Sequence, residues 1–214
     1  MKYLCLFLIF SVHCFSQNKD KKVYYFDENW KPTTEHNFKK NQSEEYITRY
    51  FDMDTAYIAK TFLFENYGKL QQEQYQGVKK HLENISGRIL DTTKPIVISY
   101  ISLNDPSDIN PNTRRMNIYD TSRHDEMKKM DKRTDINLIW LQHAGNEPEK
   151  GRYRRNIDWY FDKDDYIAKT FLEYNCHIGS LIIIMPDGSY LSYYCIEKIL
   201  HEANNVIDKM KKGT

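Results

Sequence analysis

Two short runs constrain this chain more than anything else in it. Ile96-Val97-Ile98-Ser99-Tyr100-Ile101 and Leu181-Ile182-Ile183-Ile184-Met185 are almost unbroken stretches of β-branched and large apolar residues. A strand with no polar side has no face to offer water, so each run predicts a strand buried on both faces of a sheet covered by other layers. Ile136 to Leu141 gives a third strand of the same kind. Helical spacing surrounds them. Tyr75, Val78, Leu82, Ile85 and Ile89 recur every three or four residues until Lys94-Pro95, and Ile196, Ile199, Leu200, Ala203, Val206, Ile207 and Met210 make a second stripe near the end.

Thr113 to Lys132 fits a charged helix with Met116, Tyr119, Met127 and Met130 turned inward. Ile167, Ala168, Phe171 and Leu172 fit another, whose start Asp162, Asp164 and Asp165 can cap. Asp187-Gly188 predicts a two-residue hairpin loop in which Pro186 faces Ser189 and, further along, Ser180 faces Cys195. Residues 72–212 thus read α β α β α β β α. That order implies parallel pairing through right-handed crossovers, with the closing hairpin as one antiparallel edge, so the expected class is α/β or α+β with a mixed central sheet.

Ahead of this unit, Val23 to Phe26, Tyr46 to Phe51 and Tyr57 to Phe64 read as short strands and Glu65-Asn66-Tyr67-Gly68 as a turn, which together make a small β-hairpin region. The chain opens with Lys2, an uncharged apolar run from Tyr3 to Val12, and small side chains at Cys14 and Ser16. This is the pattern of a signal peptide cleaved after Ser16, too short to cross a bilayer as a helix. The expected divisions are 1–16 signal peptide, 17–70 β-hairpin region and 71–214 the α/β unit. The protein is expected to be exported, periplasmic or secreted, with no transmembrane segment in the mature chain.

Composition narrows the function. Of the 214 residues 40% are hydrophobic and 14% aromatic, which excludes a disordered chain, and 31 basic against 30 acidic residues leave no net field to draw it to nucleic acid. Arg152, Tyr153, Arg154, Arg155 and Trp159 form a local basic-aromatic group that reads as a solvated loop. The histidines outside the leader, His36, His81, His124, His143, His177 and His201, lack the three- or four-residue spacing of a metal pair, so neither metal nor cofactor is expected. Tyr-Ile-Ala-Lys-Thr-Phe-Leu occurs twice, at 57–63 and 166–172, each time after Tyr-Phe-Asp-x-Asp. The surrounding patterns make the first copy strand and the second helix, and the aspartates lack the glycine and glutamate of a calcium loop.

Cleavage after Ser16 removes Cys5 and Cys14 and leaves Cys176 and Cys195. Export permits a disulfide between them, but four residues of extended strand span about 13 Å, so direct pairing requires the chain before Ser180 to fold back. A buried structural Cys195 is the alternative. Cys176 beside His177 is a candidate activated thiol, because an imidazolium favours the thiolate.

The element order, together with Thr93-Lys94-Pro95-Ile96-Val97-Ile98-Ser99-Tyr100 and Gly179-Ser180-Leu181-Ile182-Ile183-Ile184-Met185-Pro186-Asp187-Gly188-Ser189-Tyr190, resembles the thioredoxin-like superfamily over about the last two thirds of the chain. The resemblance implies a three-layer domain with the redox pair Cys-x-x-Cys just beyond the first strand. Asp105-Pro106-Ser107-Asp108 stands there, without either cysteine, and Ser180 stands where the family places a cis-proline. The resemblance therefore implies the fold without its dithiol chemistry: a non-catalytic module that binds an as yet unidentified protein or peptide. Two other readings stay open, a thiol enzyme or redox-sensitive protein using Cys176 or Cys195, and an envelope-associated interaction protein.

Overall fold

The computed structural model describes residues 21–43, 45–102, 129–144, 158–174, 176, 179–194 and 203–212. They build a mixed α/β protein with two mixed sheets. The smaller contains β1 (Lys22–Phe26), β2 (Pro32–Thr33), β3 (Tyr46–Met53) and β4 (Ala56–Leu63) in the order β2-β1-β4-β3. Helix α1 (Glu35–Lys40) follows β2, its Thr34 hydroxyl accepting the Asn37 N–H as an N-cap. The larger sheet contains β5 (Glu65–Lys69), β6 (Ile96–Ile101), β7 (Asn137–His143), β8 (Trp159–Asp162), β9 (Ser180–Ile184) and β10 (Ser189–Tyr194), in the order β5-β10-β9-β6-β7-β8.

Strands β6, β7 and β8 run parallel, whereas β9 is antiparallel to β6, β10 to β9, and β5 to β10. The antiparallel half is therefore broader than a single closing hairpin. Its extra edge is β5, the segment expected to be a turn. Gly68 accounts for the difference: it pairs with Tyr190, and a Cβ there would meet the Tyr190 ring at 2.4 Å, so the glycine makes room for an aromatic across the ladder. The front strands likewise do not form a plain meander, because β1 lies parallel to β4 along Lys22↔Ala56 to Phe26↔Lys60.

Helix α2 (Gln72–Ser86) and helix α3 (Tyr166–Phe171) cover one face of the larger sheet. Tyr75, Val78, Leu82, Ile167, Ala168 and Phe171 pack there on Ile98, Tyr100, Ile139, Leu141, Ile182 and Ile184. Helix α4 (Ala203–Lys212) covers the other, with Ala203 and Ile207 on Val97, Leu181, Ile183 and Leu191 beside Met130. Each of these large apolar side chains contributes roughly 1.5–3 kcal/mol by leaving water. Helix α2 stops at a left-handed Gly87 (φ 66°), so Ile89, expected on its apolar stripe, is 94% exposed. Of the expected 113–132 helix, residues 129–131 are helical and Lys132 is a turn; residues 113–128, like residues 196–200 ahead of α4 and the leader, lie outside the described residues.

The β9–β10 hairpin differs from expectation by one residue. The Met185 N–H donates to Ser189 O, so the loop is Pro186-Asp187-Gly188 and Ser180 faces Tyr194, not Cys195. Proline has no N–H to give the ladder, and Gly188 takes φ 85° as the third loop residue, the geometry of a three-residue turn. A side chain at 188 would also meet the Leu70 carbonyl at 2.8 Å, where the Leu70 N–H donates to Gly188 O and ties β5 to the hairpin.

The two sheets meet across an aromatic seam. Phe62 of β4 packs on Tyr174 (centroids 4.3 Å apart), and Tyr174 stacks on Tyr194 of β10 at 4.9 Å with Cys176 beside them.

Candidate functional site

The three parallel strands end together on the face covered by α2 and α3, and the register aligns their last residues. Tyr100 pairs with Leu141 on one side and Ser180 on the other, and His143 pairs with Asp162. Because paired residues share a face, Tyr100, His143, Asp162 and Ser180 all lie on the face whose core holds Leu141 and Ile182. The carboxyl ends of parallel strands are where open α/β sheets bind ligands.

Asp162 is fully buried and its two oxygens accept the N–H groups of Ile167 (3.0 Å) and Ala168 (2.9 Å), fixing the start of α3. The capping role expected of these aspartates thus falls to Asp162. The next two aspartates turn the chain: Asp164 and Asp165 both take left-handed backbone, φ 60° and 53°. That conformation is unfavourable for a non-glycine residue, and here it delivers Asp165 to His143, whose Nε2 lies 3.1 Å from Oδ1. His81 of α2 sets its Nε2 3.4 Å from Asp162 Oδ1, with its ring 4.7 Å from that of Tyr166. The Tyr100 hydroxyl is buried near both Asp162 and Asp165, and burial first, then the two carboxylates, push its ionisation far above the ordinary phenol range.

Buried polar atoms gather at this rim: Ser102 Oγ and Ser180 Oγ, which make no hydrogen bond, beside the Tyr100 hydroxyl facing Asp162 and the ion-pair contacts of His81 Nε2 and Asp165 Oδ1. Buried polar groups are normally paired, so a cluster of buried polar side chains with two hydroxyls left unpaired marks a place suited to polar contacts. Sequence spacing could not find it, since its members come from five separate segments and the only local signal, the aspartate triplet, reads as a helix cap.

The expected site residues fare unevenly. Asp105, Pro106, Ser107 and Asp108, together with His177 and Cys195, lie outside the described residues. Ser180 is at the rim, buried, opposite Tyr100. Cys176 is 2% exposed and disulfide-bonded, so in this state it presents no free thiolate. The Gly179 N–H donates to Cys176 O at 2.9 Å, and Gly179 has φ 97°. The other half of the bridge lies outside the described residues. Arg49 of β3 places Nη2 3.1 Å from Cys176 Sγ and its guanidinium 5.4 Å from the Tyr174 ring centre.

Among the described residues no group of three or more His, Cys, Asp and Glu could hold a metal ion, and no helix is long and apolar enough to cross a membrane. No protein-family model, curated protein or solved structure matches the chain.

Proposed function

We propose that the chain is an exported scaffold of the thioredoxin-like kind, without dithiol chemistry, that works by binding a protein or peptide at the rim of its larger sheet. The observation that carries this reading is the state of Cys176: the one cysteine among the described residues is engaged in a disulfide and buried at the seam. A bonded sulfur offers no thiolate, and the thiolate is the attacking species in disulfide exchange. The arrangement around β6 supports the scaffold part. Strand β6 runs parallel to β7, antiparallel β9 lies on its other side, and three residues after Ser102 the sequence continues as Asp105-Pro106-Ser107-Asp108, where the resemblance places the lost redox pair. Ser180 stands level with that exit, beside Tyr100.

Catalytic reduction of a protein disulfide by the exported protein, with a thiol reductant as electron source, tests the reading. No turnover above the uncatalysed rate, in the native protein and in Cys176→Ser alike, is expected. Turnover that disappears in Cys176→Ser would replace the scaffold by a thiol enzyme.

A further inference from the structure

We infer that two copies of this chain pair through the outer edge of β3, antiparallel about a twofold axis at Tyr50, and join their smaller sheets into one continuous sheet. Strand β3 is eight residues long and ends the order β2-β1-β4-β3, so among the described residues only β4 pairs with it.

The hairpin decides which backbone groups of β3 are spare. Its loop is Asp54-Thr55, and a two-residue loop closes on a pair that exchanges hydrogen bonds, here Met53↔Ala56. Bonded pairs then recur at every second residue, through Phe51, Arg49 and Ile47 to Glu45, whose carbonyl accepts the Phe64 N–H at 2.7 Å. The N–H and C=O groups of Thr48, Tyr50 and Asp52 therefore point away from β4, and nothing among the described residues bonds to them. The Tyr46 N–H also points outward but donates to Ser43 O.

An open row of this kind is a template for another strand, and proteins usually blunt it. Tyr-Ile-Thr-Arg-Tyr-Phe-Asp-Met contains no proline, glycine or lysine. Its two charged side chains face their own chain: Arg49 lies against the Tyr174 ring, and Asp52 pairs with Lys21. The other sheet edges differ. Strand β2 has two residues and begins with Pro32, β8 has four, and β5 carries Glu65 and Lys69 at its ends.

The sequence of β3 selects a second copy as the occupant. With Tyr50 facing Tyr50 across the axis, Thr48 faces Asp52, Arg49 faces Phe51 and Ile47 faces Met53, so no like charges oppose one another. All three spare residues of each copy then bond, giving about six backbone hydrogen bonds. The neighbouring registers are worse: one sets Arg49 against Arg49, and the other places Thr48 opposite the loop residue Asp54. Tyr50 and Met53, 43% and 50% exposed, gain cover in the favoured register. The contact is the same patch on both copies, and each outer edge of the joined sheet is β2 with its Pro32, so growth stops at two. This goes beyond the scaffold reading and is independent of it: sedimentation decides the one, turnover the other.

Sedimentation velocity of the full-length exported protein tests the pairing. A single ladder is a small interface, so wild type should pass from monomer to dimer at roughly micromolar concentration. Tyr50→Pro removes only an outward N–H, and Tyr50→Lys sets two cations face to face; each should weaken the dimer at least about tenfold while leaving the far-UV circular dichroism unchanged. Tyr50→Lys decides if the proline disturbs the strand. Mild oxidation checks the register. Tyr50→Cys should form a covalent dimer, because Cα atoms in a bonded pair are about 5.5 Å apart, whereas Met53→Cys, about 20 Å from its counterpart, should not. A wild-type monomer throughout would overturn the proposal and leave the edge to an extended segment of another protein. Dimers undiminished in Tyr50→Lys, or Met53→Cys cross-linking as readily as Tyr50→Cys, would overturn it as well.

Discussion

Lys60 and Lys169 occupy the same position of the same seven-residue sequence and end in opposite surroundings. Lys60, in β4, is fully buried: Nζ donates to Glu28 O at 3.1 Å and Thr61 O at 3.4 Å, lies 3.3 Å from Glu173 Oε2, and sits over the rings of Phe62 and Trp30. Lys169, in α3, is exposed and donates to Asp164 O. Tertiary context overrides local propensity here: the first copy is paired on both edges, by β1 and β3, while the second begins where Asp162 supplies a helix cap.

The pair gives a direct comparison of one substitution in two settings. Lys60→Ala removes a packed stem and leaves two backbone carbonyls without that donor, and should destabilise the protein by about 2 kcal/mol. Lys169→Ala should stay within about 0.5 kcal/mol of wild type. Urea unfolding of both variants measures the difference, and equal losses would contradict the burial of Lys60.

What the sequence made legible follows from how local each signal is. The cores of β6, β7 and β9 were readable because β-branched runs such as Ile96-Val97-Ile98 announce burial on both faces. The strand and helix fates of the repeated heptapeptide were readable from their flanks. The hairpin register was not, because Asp187-Gly188 satisfies a two-residue loop and only the missing N–H of Pro186 argues for three. Strand β5 was hidden by Gly68, whose place depends on Tyr190, far along the chain. The rim was invisible for a simpler reason: His81, Tyr100, His143, Asp162 and Ser180 become neighbours only through strand order, and the order β9-β6-β7-β8 is a tertiary fact.

Trp30 tests backbone strain in the β1–β2 loop. It has φ 62°, a conformation suited to glycine, and its ring packs 5.8 Å from that of Phe26 and 4.8 Å from Lys60 Nζ. Trp30→Gly and Trp30→Ala lose the ring equally, but only the glycine variant relieves the strain. Trp30→Gly should therefore be about 1 kcal/mol more stable than Trp30→Ala in thermal or urea unfolding. The reverse order would place the strain elsewhere.

Acid should weaken the fold through two surface carboxylates. Asp91 is held at about 2, chiefly by the Thr93 hydroxyl and N–H and then by Lys94. Asp187 is likewise held at about 2 by the Ser189 hydroxyl and N–H, with Lys69 nearby. Both lie below the value of about 4 that an aspartate has in the unfolded chain, so the unfolded state takes up protons first. Their contribution is complete above about pH 4 and disappears as pH falls through about 2. Melting temperatures of wild type, Asp91→Asn and Asp187→Asn between pH 6 and pH 2 should differ at the upper end and converge at the lower. Parallel curves would show that neither carboxylate is held low in the native protein.

Asp162 is the residue on which the rim depends. Its carboxylate satisfies the N–H groups of Ile167 and Ala168 and stands close to His81 Nε2 and the Tyr100 hydroxyl, so one side chain fixes the start of α3 and lines the site. Removing a helix cap costs about 1 kcal/mol, and leaving buried donors unpaired adds about 1–3 kcal/mol. Asp162→Ala should therefore lose about 2–4 kcal/mol. Asp162→Asn keeps one acceptor but turns an amide N–H₂ toward the backbone donors, so it should fall between Asp162→Ala and wild type. Hydrogen exchange at Ile167 and Ala168 separates this local effect from a general loss: both amides should exchange faster in either variant than global unfolding accounts for. If their protection falls only in step with global stability, Asp162 is not their cap.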